Sequence, residues 1–220
     1  MQAYITINTT AEFFCLLVSL FCLHKDEAPI WRAFTLFLLV TCVVEFIGIY
    51  VRHVLHQPNF MVYNVFLPVE CFVQNCFFYY LYKPYHNHKK LLVAWLTLFT
   101  VFYFSELIIN HFRAFTSVTS TLLSVQLILA SVYYYYLLLK EDQYRRLSAY
   151  ASFWWVNGTI CFYFGGVATN VFFSYLVQYP GVFTHTARYI VFNILNIILY
   201  SSWAYSFICR YRQKISHSSF

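Results

Sequence analysis

Composition places this chain outside the ordinary soluble proteins. It has 220 residues, of which 61% are hydrophobic and only 10% are charged, and its formal net charge is +6. Soluble domains carry about 25% charged residues, and each membrane span takes roughly 20 residues, so the length excludes a large soluble domain beside a bundle of many spans. We therefore expect one transmembrane domain over residues 1–209 and a short basic cytoplasmic tail over 210–220.

Seven long apolar stretches predict an all-α bundle of seven transmembrane helices. Backbone polar groups find no water inside a bilayer, so each spanning segment of this length must form a helix. The first stretch has no basic region before it and no small-residue cleavage site, which favours a retained span over a signal peptide. In chain order the predicted spans are 3–23, 30–51, 61–82, 91–110, 115–139, 148–173 and 187–209.

The basic residues on the short connections predict the orientation. Eleven of the 14 Lys and Arg residues fall on one side of the predicted bundle and three on the other. Because cytoplasmic loops carry the excess of Lys and Arg, the N-terminus is expected outside and the C-terminus in the cytoplasm of a plasma or bacterial inner membrane. The eleven are Lys25, Arg32, Lys83, Lys89, Lys90, Lys140, Arg145, Arg146, Arg210, Arg212 and Lys214; the three are Arg52, Arg113 and Arg188.

Four acidic residues lie inside predicted spans, one in each of the first four. They are Glu12, Glu45, Glu70 and Glu106. A charged side chain at the bilayer centre costs at least about 2.5 kcal/mol, so such residues face a polar interior, pair or stay protonated. Glu70 falls near the middle of the membrane and the other three in the outer half. We predict a polar vestibule that opens to the outside and ends near Glu70.

The third predicted span has one polar face. Asn64, Glu70, Gln74 and Asn75 fall within an arc of roughly 140° at about 100° per residue. Pro68 cannot donate to the carbonyl of Asn64, which loosens the helix one turn before the glutamate. Two interpretations stay open: an ion or solute site at a broken helix, or a kink with hydrogen bonds that hold helices together.

The seventh predicted span offers further polar groups. Asn193 and Asn196 share a face, with Arg188 above them. Arg188 is the cation best placed to neutralise a vestibule glutamate or to bind an anionic ligand.

Four histidines on the outer side are candidate metal ligands. His53 and His56 are three residues apart, and His111 and His185 belong to other outer connections. Imidazole nitrogens bind zinc, although histidines at a membrane interface also serve simply as amphipathic residues. The metal interpretation and the interfacial one both remain open.

No motif names a reaction or a cofactor. The seventh span has no lysine for a retinal Schiff base, and no predicted span contains an aspartate of the kind that seven-span zinc hydrolases need. Nucleophile elbows, zinc-protease motifs and phosphate-binding glycine loops are also missing from the sequence. We therefore predict no cofactor and regard an enzyme as the less favoured class.

Three functions remain in order of preference. The first is a sensor or receptor-like component that binds a small polar solute or a cation from outside and acts through a cytoplasmic protein partner. The second is a transporter or channel subunit that uses Glu70 at the midplane. The third is an assembly or effector subunit without a site. The bilayer is an expected partner, a homo-oligomer is possible, and nucleic acid is not expected.

Overall fold

The structure is all-helical over the residues it describes. The computed structural model describes residues 6–85, 88–141, 146–176 and 184–218. For residues 173–176, 184–187 and 216–218 it describes the backbone and not the side chains. These ranges contain seven α-helices, one 3-10 turn and no strand. The helices are α1 (Ile7–Leu23), α2 (Pro29–His53), α3 (Phe60–Tyr82), α4 (Lys89–Ile109), α5 (Ser117–Leu139), α6 (Ala151–Leu176) and α7 (Thr184–Ser218), with the 3-10 turn at Leu147–Ala149.

Five of the described helices are long and apolar enough to cross a membrane. They are α2, α3, α4, α5 and the Arg188–Ile215 part of α7. Large apolar side chains point outward along them, such as Val65, which is 72% exposed, and Ile109, which is 75% exposed. Apolar surface on this scale needs an apolar partner, and the predicted helical membrane bundle is confirmed as a fold class.

The remaining two predicted spans differ from these five. Helix α1 has 17 described residues, about 26 Å at 1.5 Å per residue, against a hydrocarbon core of about 30 Å. Helix α6 has 26 residues, but Trp, Tyr, Asn, Gly and Thr dilute its apolar character. The seven-span count and the orientation stay predictions.

The described helices form two compact units. One, called here the terminal unit, contains α1, α5 from Leu127 onward, the 3-10 turn, α6 and α7. The other, called here the middle unit, contains α2, α3, α4 and α5 as far as Gln126.

The terminal unit is held together by close packing of α6 on α7. Gly158 of α6 lies against α7, where a Cβ atom would come within 2.7 Å of Cβ of Ser202 and 3.2 Å of the carbonyl oxygen of Leu199. Nearby, Ser206 Oγ donates to the carbonyl of Ala151 at 2.7 Å. Small residues at such a contact let two backbones approach, which is how helices associate in lipid.

Helix α7 does not stop at the predicted end of its span. It continues to Ser218, so most of the predicted basic tail is helical. Gln213 Nε2 donates to the carbonyl of Ala149 at 3.0 Å, and Lys214 Nζ donates to the carbonyl of Lys25. The extension of α7 is therefore hydrogen-bonded to two connections, the one that follows α1 and the one that precedes α6.

Candidate functional site

A neighbouring helix replaces the backbone hydrogen bond that is lost at Pro68. Pro68 lies inside α3 and leaves the carbonyl of Asn64 without its normal helical donor. Tyr103 of α4 supplies the replacement, because its hydroxyl donates to that carbonyl at 2.9 Å. Both Asn64 and Tyr103 are buried. The loosened turn is thus a fixed α3–α4 contact in the middle unit.

The side chain of Asn64 organises the start of α5. Its Nδ2 donates to the carbonyl of Ala114 at 2.9 Å. Its Oδ1 accepts from the backbone N–H of Thr116 and from the Thr116 hydroxyl, both at 3.1 Å. Asn64 therefore uses its donor and its acceptor on the α4–α5 connection, which is a structural role.

Glu106 caps α5 from outside that helix. Its Oε1 accepts from the backbone N–H of Val118 at 3.0 Å. Its Oε2 accepts from the N–H of Thr119 at 2.7 Å and from the Thr119 hydroxyl at 2.6 Å. The first N–H groups of a helix have no partner within it, and the positive end of the helix dipole favours a carboxylate. The predicted vestibule residue thus acts as a helix cap.

We expect Glu106→Ala to lower the free energy of unfolding by about 2 kcal/mol, because three donors at the start of α5 lose a charged acceptor. Glu106→Gln keeps one carbonyl oxygen and should lose about half as much. Titration of the purified protein from mild detergent into sodium dodecyl sulfate measures both. Ser105→Ala is the matched control, since Ser105 is exposed and bonds only within α4. Equal losses for Glu106→Ala and Ser105→Ala would contradict the capping role.

Glu45 takes part in a contact between α2 and α3. Tyr63 donates through its hydroxyl to Glu45 Oε2 at 3.0 Å, and the Tyr63 ring lies against Gly48, where a Cβ would be 2.8 Å from the hydroxyl oxygen. Asn59 Nδ2 donates to the carbonyl of Gly48 at 3.4 Å. Glycine at this position lets the tyrosine reach the carboxylate.

An amide chain links α3 to α5 deeper in the middle unit. Asn75 Nδ2 donates to the carbonyl of Cys71 at 2.8 Å, and its Oδ1 accepts from Gln126 Nε2 at 2.8 Å. Gln126 Oε1 is buried and makes no hydrogen bond to the described part of the protein. This series of amide hydrogen bonds therefore ends at Gln126 Oε1, an acceptor that receives no hydrogen bond from the described residues.

Gln74 is the most unusual polar residue of this region. Its side chain is 0% exposed, and neither Nε2 nor Oε1 has a hydrogen-bond partner within the described ranges. A buried polar atom that is left unsatisfied costs about 1–3 kcal/mol, and native structures contain few of them. Glu70, which is half-buried, precedes Gln74 by one helical turn.

The predicted site residues of the terminal unit form a separate set. Glu12 is 4% exposed and Asn193 is 8% exposed. Asn196 Nδ2 donates to the carbonyl of Phe192 in its own helix at 2.9 Å. Arg188 Nη2 donates to Asn170 Oδ1 of α6 at 3.0 Å. The predicted pairing of Arg188 with a vestibule glutamate stays a prediction.

Two of the candidate metal-binding histidines have a backbone role. His56 and His111 adopt positive φ angles of 50° and 48°, a conformation that ends helices and that histidine tolerates better than most side chains. His53 is the last residue of α2, and the side chain of His185 lies outside the described residues. Within the described ranges no group of three or more His, Cys, Asp or Glu side chains is placed to hold a metal.

The predicted site residues of the middle unit therefore differ in their hydrogen bonds. Three of them bond to neighbouring helices or connections, namely Asn64, Glu106 and Glu45. Gln74 instead makes no side-chain hydrogen bond to the described residues. Their hydrogen-bond partners were not predicted from the sequence; these are Tyr103, Thr116, Thr119, Tyr63 and Gln126. Only Gln126 carried a visible signal, since it is the one amide in the apolar run of α5.

Comparison with protein-family models, with curated protein sequences and with solved structures gave no match. The fold itself defines a helical protein of the membrane type.

Proposed function

We propose that this protein is a multi-pass membrane sensor that binds a small polar solute at Gln74 and signals through a cytoplasmic partner. The observation that carries the proposal is the burial of Gln74, whose two amide atoms make no hydrogen bond to the residues that the structure describes. A solute that bonds to both atoms would recover the cost of their desolvation. Ligand sites of this kind combine apolar walls with a few placed polar groups.

The chemistry of the open atoms defines the solute class. Gln74 Nε2 is a donor, and Gln74 Oε1 and Gln126 Oε1 are acceptors. A matching solute carries at least one donor and one acceptor, as polyols, amides and amino compounds do. Glu70 lies one turn away on α3 and favours a solute that is neutral or positively charged over an anion.

The two helices that carry the amides offer a route to a partner. Helix α3 ends at Tyr82 and α5 at Leu139, next to Lys83 and Lys140, two of the connections predicted to be cytoplasmic. A solute between α3 and α5 changes their packing, and helix shifts of this kind transmit many binding events. The cytoplasmic partner would bind these connections and respond to the change in their positions.

A Gln74→Leu variant tests the proposal in the purified full-length protein. Without solute, the variant should be at least as stable as the parent, because leucine removes an unsatisfied amide of similar volume. With the right member of a panel of polyols, amino acids and choline, only the parent should gain thermal stability. Gln57→Leu, on an exposed connection, is the matched control.

Two outcomes would oppose this function. A large loss of stability for Gln74→Leu in the absence of any solute would make the amide structural. Solute or ion flux in protein-containing liposomes that disappears in Glu70→Gln would instead support the transporter.

A further inference from the structure

One face of α7 carries an exposed stripe that ends on an arginine. Ile198, Tyr205 and Arg212 are seven residues apart, and such residues lie on nearly the same face of a helix, with a drift of about 20° per seven. Ile198 and Tyr205 are each 38% exposed, and Arg212 is exposed as well. All three belong to the part of α7 that is long and apolar enough to cross a membrane. A lipid chain that lies along this stripe therefore meets Arg212 at its C-terminal end.

The tyrosine of this stripe lies beside α6. The Tyr205 ring meets the Trp154 ring edge-on, with 4.9 Å between the ring centroids. Trp154 Nε1 donates to the carbonyl of Ser148, in the 3-10 turn, at 3.0 Å. Tyr and Trp are enriched at membrane–water interfaces, where their rings lie at the level of the lipid headgroups. A Tyr–Trp pair one to two helical turns before a basic segment is typical of that level.

The 3-10 turn brings a second arginine to the same end of the terminal unit. Gln213, the neighbour of Arg212 in α7, donates through Nε2 to the carbonyl of Ala149 at 3.0 Å. The backbone N–H of Ala149 in turn donates to the carbonyl of Arg146 at 3.0 Å. Arg146 is exposed, as Arg212 is. Two arginines that are far apart in the sequence therefore flank one short contact between α7 and the turn.

No carboxylate side chain of the turn, α6 or α7 offsets these two arginines. The sequence contains no Asp or Glu after Asp142. A guanidinium group is a planar fork that binds two phosphate oxygens at once, and basic residues where a helix leaves the membrane attract anionic lipids. Arg146 and Arg212 therefore match two phosphate groups, both in charge and in the number of hydrogen-bond donors.

We propose that the terminal unit binds an anionic phospholipid with two phosphate groups, of the cardiolipin type, at Arg146 and Arg212. The acyl chains lie along Ile198 and Tyr205, and the phosphates contact the two guanidinium groups. This site is independent of Gln74, which belongs to the middle unit, and neither proposal needs the other.

Lipid binding to the purified full-length protein in mild detergent tests this site. Native mass spectrometry would measure bound lipid while either cardiolipin or phosphatidylglycerol is added in steps. Cardiolipin should bind at least about fivefold more tightly than phosphatidylglycerol, which has one phosphate group and so leaves one arginine without a partner. Arg146→Gln and Arg212→Gln should each weaken cardiolipin binding about fivefold, the size expected for one basic residue beside an anionic headgroup.

Lys90→Gln is the matched control, because it removes the same charge from an exposed residue of the middle unit and should leave cardiolipin binding unchanged. Arg212→Lys keeps the charge and should weaken binding less than Arg212→Gln does. Equal weakening by Lys90→Gln and Arg212→Gln, or equal affinity for the two lipids, would overturn the proposal. Displacement of cardiolipin by an equal concentration of pyrophosphate would also overturn it, because the ligand would then be a soluble polyphosphate.

Discussion

Asn64→Ala is expected to lower the free energy of unfolding by about 2–4 kcal/mol. The change removes one donor and one acceptor that together make three hydrogen bonds to Ala114 and Thr116. A polar side-chain contact averages about 0.6 kcal/mol in membrane bundles, and each buried partner left unsatisfied adds about 1–3 kcal/mol. The transition from mild detergent into sodium dodecyl sulfate measures the loss.

Two further variants separate this role from a general effect of mutation. Asn64→Asp keeps an acceptor for the Thr116 groups, but it turns an oxygen toward the Ala114 carbonyl and buries a carboxyl group, so it should not recover the loss of Asn64→Ala. Val65→Ala changes the neighbouring residue, which is 72% exposed, and should stay within about 0.5 kcal/mol of the parent. If Asn64→Ala resembled Val65→Ala, the bonds around Asn64 would not hold α5 in place.

Gly158→Ala is expected to destabilise the terminal unit by about 1–3 kcal/mol. The added methyl would meet Cβ of Ser202 at 2.7 Å and the carbonyl oxygen of Leu199 at 3.2 Å. Because the second of these is backbone, α7 itself must move away, and overpacking of this kind costs about that much. Thermal unfolding of the solubilised protein shows the effect as a lower Tm.

Gly166→Ala is the internal comparison on the same helix. Its Cβ would lie 3.7 Å from the ring of Phe192, which is ordinary contact, and alanine is the better helix former by up to about 1 kcal/mol. This variant should be neutral or slightly stabilised. A second change, Ser202→Gly, should recover part of the loss in Gly158→Ala. Equal effects at the two glycines would refute the close packing of α6 on α7.

The helices were largely predictable because apolar length and polar connections mark them in the sequence. The third predicted span, 61–82, differs from α3 (Phe60–Tyr82) by one residue. The seventh ends nine residues early because hydropathy marks where a helix leaves the membrane, whereas α7 continues through Arg, Gln and Lys, which favour helix. Periodicity gives no information on that continuation.

The use of the polar residues was less predictable. The sequence shows that Pro68 deprives Asn64 of a donor, but only the packing of α4 on α3 brings Tyr103 to that carbonyl. Glu106 is visible as an acid in a span, and its role depends on the tight connection that brings Val118 and Thr119 to it. Helix periodicity places amides on a face without showing which of them find partners.

The most direct measurement is an experimental density map around Gln74 in the full-length protein, purified gently from its own membrane. We expect density larger than one water molecule within hydrogen-bond distance of both Gln74 Nε2 and Gln74 Oε1, next to Gln126. Hydrogen bonds from Gln74 to protein groups alone, or to a single water, would contradict a solute site.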